Sequence, residues 1–175
     1  MDIVVPESFK YLYERNASRP VFKIPDPILR TVCSPITEIG PHHRDLIKRM
    51  MKAMDLANGV GLAAPQMGEA VRIIVVAPGE TKPLALINPE IVELSGEQIG
   101  QEGCLSIPGL YGDVLRAETV VVDAYDHTGK PVRYEMDGIA ARVIQHEVDH
   151  LDGVLFTDKV DVATLHWMNP EIDED

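Results

Sequence analysis

The chain has 175 residues, 45% of them apolar and 25% charged, which suits one globular domain with a full core. Its net charge of −12 argues against general nucleic-acid binding and adsorption to anionic membranes, while leaving room for a local basic patch. Two cysteines, Cys33 and Cys104, are too few for a disulfide scaffold, and no apolar run is long enough to span a bilayer.

The first residues, Met1-Asp2-Ile3-Val4-Val5-Pro6, lack a basic segment followed by a long apolar one, so the expected compartment is the cytoplasm. Residues 1–20 have weak periodicity and form an extension of uncertain order, in which Tyr11, Leu12 and Tyr13 could pack or form a short helix. The stretch Ile24-Pro25-Asp26-Pro27-Ile28-Leu29-Arg30 is extended or turn-like, because each proline biases its predecessor away from helix. From His42 to Ala57 the residues Leu46, Ile47, Met50, Met51 and Met54 recur at helical spacing. Pro41 suits that helix's start and Asn58-Gly59 its end.

A run of small residues follows, Gly59-Val60-Gly61-Leu62-Ala63-Ala64-Pro65-Gln66. Strands are then expected at 72–76, 84–87, 91–94, 119–125 and 131–134, with turns at Pro78-Gly79, Asn88-Pro89, Ser95-Gly96 and His127-Thr128-Gly129. Short strands on short loops imply antiparallel sheet. Asp137 can cap a second helix that runs to about Leu151 and stops at Gly153. Its stripe Ala140, Ile144, Val148 and Leu151 is apolar, and Ile139 and Val143 add apolar positions on the other side, so the helix should be buried on two sides. The fold class expected is α+β: antiparallel sheets packed around a central metal-binding helix, with an N-terminal helix added. The whole of 1–175 is expected to be one domain, ending in an acidic tail at 168–175.

The second helix carries His146-Glu147-Val148-Asp149-His150. Histidines four apart lie on one helix face, about 6 Å apart along its axis, and can reach one metal ion. Glu147 can stand beside the ion's open position as a proton acceptor. Two histidines do not complete a site. A metzincin would need a histidine where Phe156 stands. A thermolysin-like third ligand would have to be Glu171, which follows Pro170 in the acidic tail. Cys104 is the remaining candidate, since a thiolate suits zinc or iron(II), although a small buried thiol is the plainer alternative.

The motifs G-V-G-L-A-A-P-Q at 59–66, E-G-C-L-S at 102–106 and Q-H-E-V-D-H at 145–150, in that order, resemble those of peptide deformylases over about residues 22–157. The resemblance implies that Cys104, His146 and His150 hold one divalent ion, iron(II) in most relatives with zinc or nickel as substitutes. It implies that Glu147 is the general acid and base, that Gln66 and the backbone N–H of Leu105 stabilise the oxyanion, and that Gly61 lets substrate backbone approach. The substrates would be N-formylmethionyl nascent peptides, and the product formate.

By helical facing, Val60, Ile139 and Val143 are candidates for the methionine slot, and Val60, Gly61 and Gly103 could bond an extended peptide as an added strand. Glu102 could support a ligand or be simply a loop carboxylate, and Arg142 could pair with a carboxylate or line the site entrance. Residues 1–20 depart from the family pattern. So does the C-terminus, where Thr164-Leu165-His166-Trp167 and an acidic tail stand in place of the basic helix of some relatives. The resemblance admits the ribosome as a transient partner, but docking through such a helix does not carry over. The competing readings are an endopeptidase, which would also need Glu147, and a non-catalytic metal-binding domain, which would leave Gln66 and Glu147 without purpose.

Overall fold

The structure, a computed structural model, describes residues 1–80 and 82–172. Among the described residues, eight strands form two antiparallel sheets, and two α-helices pack with them. The larger sheet has strand order β1 (Gly61–Ala63), β2 (Ile73–Val76), β3 (Leu84–Ser95), β6 (Thr119–Tyr125), β7 (Pro131–Asp137). The smaller joins β4 (Gln98–Cys104), β5 (Ile107–Arg116) and the short β8 (His166–Trp167). The expected α+β class is therefore the observed one. Among the described residues no helix is long and apolar enough to cross a membrane.

Side-chain alternation explains how the helices sit. All four residues of β2 are buried, because the strand is covered on both faces. Ile73 and Val75 pack with Leu46, Met50 and Met54 of α1 (Pro41–Leu56). Ile74 and Val76 pack with Ala141, Ile144 and Leu151 of α2 (Gly138–Leu151). The far side of α2 meets the β4–β5 hairpin, so seven consecutive residues, Ala141 to Glu147, are buried. That is the central helix its two-sided apolar pattern predicts. A third cluster, with Leu29, Ile107, Leu110 and Phe156, seals the hairpin's other end.

Several expectations change. The expected turn at Asn88-Pro89 is a bulge within one twelve-residue strand, where the register steps from Ile87↔Tyr125 to Glu90↔Asp123. Asn88 takes a left-handed φ of 51°, and its side-chain amide bonds both the N–H and the C=O of Ile36 at 2.8 Å. This lets the chain bulge without leaving the sheet. Strands β4 and β5 were not expected, and β7 runs on to Asp137. Asp137 stands at the N-cap position of α2, but its side chain caps nothing. It is still paired as the last residue of β7, opposite Thr119.

The N-terminal extension is packed. Glu7–Tyr13 form a 3-10 turn with Leu12 buried, the Tyr13 hydroxyl donates to the Pro108 carbonyl at 3.0 Å, and the Phe9 ring lies 5.2 Å from Trp167. The tail is engaged as far as Glu171, which pairs with Arg19 at 2.6 Å. Residues 173–175 of the expected acidic tail lie outside the described residues.

Gly153 ends α2 just beyond His150, with φ at +72° and a Cβ position 2.7 Å from the Arg30 carbonyl oxygen. Alanine there meets both a left-handed backbone and another backbone. The expected cost is about 2 kcal/mol or more. Calorimetry of Gly153→Ala should show Tm lower by about 4–8 °C. An unchanged Tm would mean the helix end relaxes freely.

Candidate metal and catalytic site

The Sγ of Cys104 and the ring nitrogens of His146 and His150 come within 4.8 Å of one another. The two histidines sit one turn apart on α2, and Cys104 ends β4 at the hairpin. Cys104 Sγ is 3.3 Å from His150 Nε2. His146 turns Nδ1 to Glu102 Oε1 at 2.8 Å, which leaves Nε2 for the cluster. Its ring also stacks on Phe156, with centroids 6.2 Å apart. The residue that failed as a metzincin ligand therefore braces a ligand candidate. Glu171, the other rejected completion, is held by Arg19 and Tyr11 instead.

A thiolate and two imidazoles at this spacing form a donor set suited to zinc or iron(II). A second observation agrees. Glu147 Oε2 is buried without a protein hydrogen-bond partner. Such an atom in a native interior marks a place where a small polar species completes the bonding.

The electrostatics follow from burial and neighbours. Burial opposes ionisation of Glu102, yet bonds from Arg116 and His146 hold its carboxyl well below the usual range. Burial pushes Glu147 up to about 7, although His146 pulls the other way. Burial also works against charge on His146, but Cys104 and Glu102 favour the protonated ring and raise it above its ordinary value. His150 is lowered by burial and by the facing His146.

Behind the cluster lies a buried ionic network. Arg116 grips Glu102 with two bonds of 2.9 Å, Arg142 adds one of 2.7 Å, and Arg116 also reaches Asp149 at 2.6 Å. The expected pairing of Arg142 with a carboxylate is thus seen, and Glu102 is support for a ligand candidate. Sequence reasoning missed Arg116.

Gln66 is buried in a 3-10 turn after β1. Its Oε1 accepts the Ala63 N–H at 2.9 Å, so the amide NH2 must face the other way. There it donates to Ser106 Oγ at 3.0 Å and lies 3.7 Å from Cys104 Sγ. Leu105 occupies the two-residue turn between Cys104 and Ile107, which puts its N–H outside the ladder register. Gly61 is pressed against Glu147: a Cβ there would stand 2.6 Å from Oε1 and 2.9 Å from the Val143 side chain. Any larger residue would displace the carboxylate.

A cleft of about 1070 Å³ opens above the cluster. Val60, Gly61, Gly103, Ile139 and Val143 all line it. Val143 is buried, while Ile139 and Val60 are 76% and 54% exposed at its mouth. β1 and β4 are edge strands of their sheets, so Gly61 and Gly103 lie on edges able to accept another strand.

Comparison with known proteins places these features in a family. The profile of the family described as polypeptide deformylase matches residues 18–165. A peptide deformylase of Dictyoglomus thermophilum is 49% identical over 147 residues, covering 84% of this chain and 95% of that one. Among solved structures, a peptide deformylase of Synechococcus elongatus in complex with actinonin superposes with a TM-score of 0.79 at 42% identity, over 86% of this chain and 85% of that one. A peptide deformylase of Acinetobacter baumannii with Met-Ala-Ser bound gives 0.78 at 38%, over 81% and 97%.

Proposed function

The chain belongs to the polypeptide deformylase family, hydrolases that remove the N-formyl group from nascent peptides, and on that premise we propose how its residues divide the work. Cys104, His146 and His150 hold one divalent ion, iron(II) by preference and zinc or nickel as substitutes. The observation that carries this is the convergence of their three donor atoms beside a buried, unpartnered Glu147 oxygen. The bound ion supplies Lewis acidity towards water and the formyl carbonyl.

Glu147 takes the proton of the attacking water and returns it to the departing amine. A carboxyl pushed up to about 7 by burial suits both directions of transfer near neutral pH. Gln66 directs its NH2 to the place where the formyl oxygen gains charge, and the Leu105 N–H adds a second donor. Each such donor is worth about 3–4 kcal/mol in comparable sites. Ala63 and Ser106 lock the Gln66 amide, so no reorganisation is needed when charge develops.

The peptide enters extended between the edges of β1 and β4, with Val60, Gly61 and Gly103 offering backbone bonds. The methionine side chain rests against Val143, with Ile139 and Val60 at the rim. Met-Ala-Ser bound to the Acinetobacter relative supports a short peptide as the ligand type. We further propose that residues 1–175 act as one catalytic domain in the cytoplasm, with the ribosome as a transient partner.

The test is formate release from formyl-Met-Ala-Ser by protein purified anaerobically and loaded with iron(II), beside an unformylated control. No formate from the loaded protein would sink the assignment. Iron(II) on a thiolate should also make activity shorter-lived in air than under argon. Equal half-lives would point to zinc or nickel instead.

A further inference from the structure

The deformylase reading leaves open what the enzyme senses beyond the formylmethionine, and the inference here rests on that reading. One wall of the cleft carries Gln66, Cys104 and Glu147. Another is made by residues 16–21 and Lys23 together with Pro170 and Glu171. This second wall is tied together by contacts between the chain's two ends. Arg19 bonds Glu171 at 2.6 Å, and its guanidinium lies 5.3 Å from the Tyr11 ring centroid. The Tyr11 hydroxyl donates to Glu171 at 3.0 Å and accepts from Asn169 Nδ2 at 3.1 Å. Much of the wall and its bracing, Tyr11 through Ala17 and Asn169 through Glu171, lies outside the stretch 18–165 that matches the family.

In a chain of net charge −12, this wall gathers cations. Arg19 and Lys23 both line the cleft, and Arg19 and Arg15 both act on Lys23 electrostatically. Arg19 is answered by Glu171. Lys23 is half-buried, and its Nζ donates to the Val21 carbonyl at 2.6 Å; among the described residues it has no carboxylate partner. Burial, with Arg19 and Arg15 acting in the same sense, lowers Lys23 to about 8, and Cys104 offsets this only in part. The cleft's other carboxylates, Glu102 and Glu147, do not serve it. Glu102 is taken by two arginines and His146, and Glu147 is buried behind Gly61.

We propose that Lys23 binds an acidic side chain of the substrate, on one of the residues directly after the formylmethionine, and that Glu171 sets how much of Arg19's charge adds to it. The cleft thereby favours nascent chains that are acidic at their start.

The experiment uses iron-loaded full-length protein and amidated peptides, so that no terminal carboxylate intrudes. Formyl-Met-Ala-Glu, formyl-Met-Ala-Gln and formyl-Met-Ala-Lys are compared, together with the same series at the second position. For the wild type, the Glu peptide should exceed the Gln peptide in kcat/KM by about fivefold, mostly through KM, and the Lys peptide should fall below both. Added salt should shrink the difference. Lys23→Met should bring the Glu/Gln ratio to about one, Lys23→Arg should keep it, and Glu171→Gln should widen it. Each ratio is internal to one variant, so a loss of stability does not imitate it. Equal wild-type rates for Glu and Gln at low salt, or a preference that survives Lys23→Met, would overturn the proposal and leave the deformylase reading intact. No formate from any peptide would overturn that reading, and this one with it.

Discussion

Glu147→Gln should keep its ion and lower kcat for formyl-Met-Ala-Ser by about a thousandfold, within the span that a positioned acid–base group contributes. The substitution is nearly isosteric, which matters because the side chain is confined. It is 4% exposed, and a Cβ on Gly61 would already be 2.6 Å from Oε1. Gln therefore occupies the same space and removes only the ability to accept a proton. None of the three converging donor atoms belongs to it, so metal content, measured by plasma mass spectrometry, should match the wild type. Retention of more than about a tenth of the turnover would remove Glu147 from the proton path, since general-base loss costs at least a hundredfold where the group acts directly. Loss of the ion together with activity would instead make Glu147 a support for the ligands.

The parts of the molecule that could be read from the chain are those whose cause is local. The apolar stripes of α1 and α2 repeat within a few residues, and His146 and His150 share a face because of the helix alone. β4 and β5 escaped because Gly100, Gly103, Gly109 and Gly112 stand where an apolar residue would mark the alternation. Asn88-Pro89 carries turn chemistry, but Ile36, fifty-two positions away, turns it into a bulge. The packing of the first residues was hidden for the same reason, since the partners of Tyr11 lie at Asn169 and Glu171. Cys104 could be proposed as a third donor from its chemistry, and the family motifs singled it out. Arg116 gave no signal of its own. Its place beside Glu102 depends on the pairing of Gln98 with Arg116 and Glu102 with Gly112, which brings both side chains to one face of the hairpin.

That hidden arginine carries the largest expected effect on stability. Arg116→Met should destabilise the protein by about 3–5 kcal/mol, because removing one partner of a buried ion pair leaves the other uncompensated. The Arg116 and Glu102 side chains are only 3% and 4% exposed, so water cannot replace what is lost. Asp149 would also lose its 2.6 Å contact and keep only Lys159.

The consequence should reach the metal. Glu102 holds His146 Nδ1 at 2.8 Å, and without Arg116 it is free to swing towards Arg142. Loss of such a support for a ligand weakens ion binding by about 10–100-fold. Tm from calorimetry and ion affinity from chelator competition should therefore fall together.

Glu102→Gln separates the two effects. It keeps an oxygen that can accept from His146 but leaves two arginines facing a neutral amide. The double variant, with both charges gone, should be less destabilised than the sum of the singles, with a coupling of about 1–3 kcal/mol. Additive losses, or a Tm for Arg116→Met within about 2 °C of the wild type, would show that the network carries charge without bracing the site.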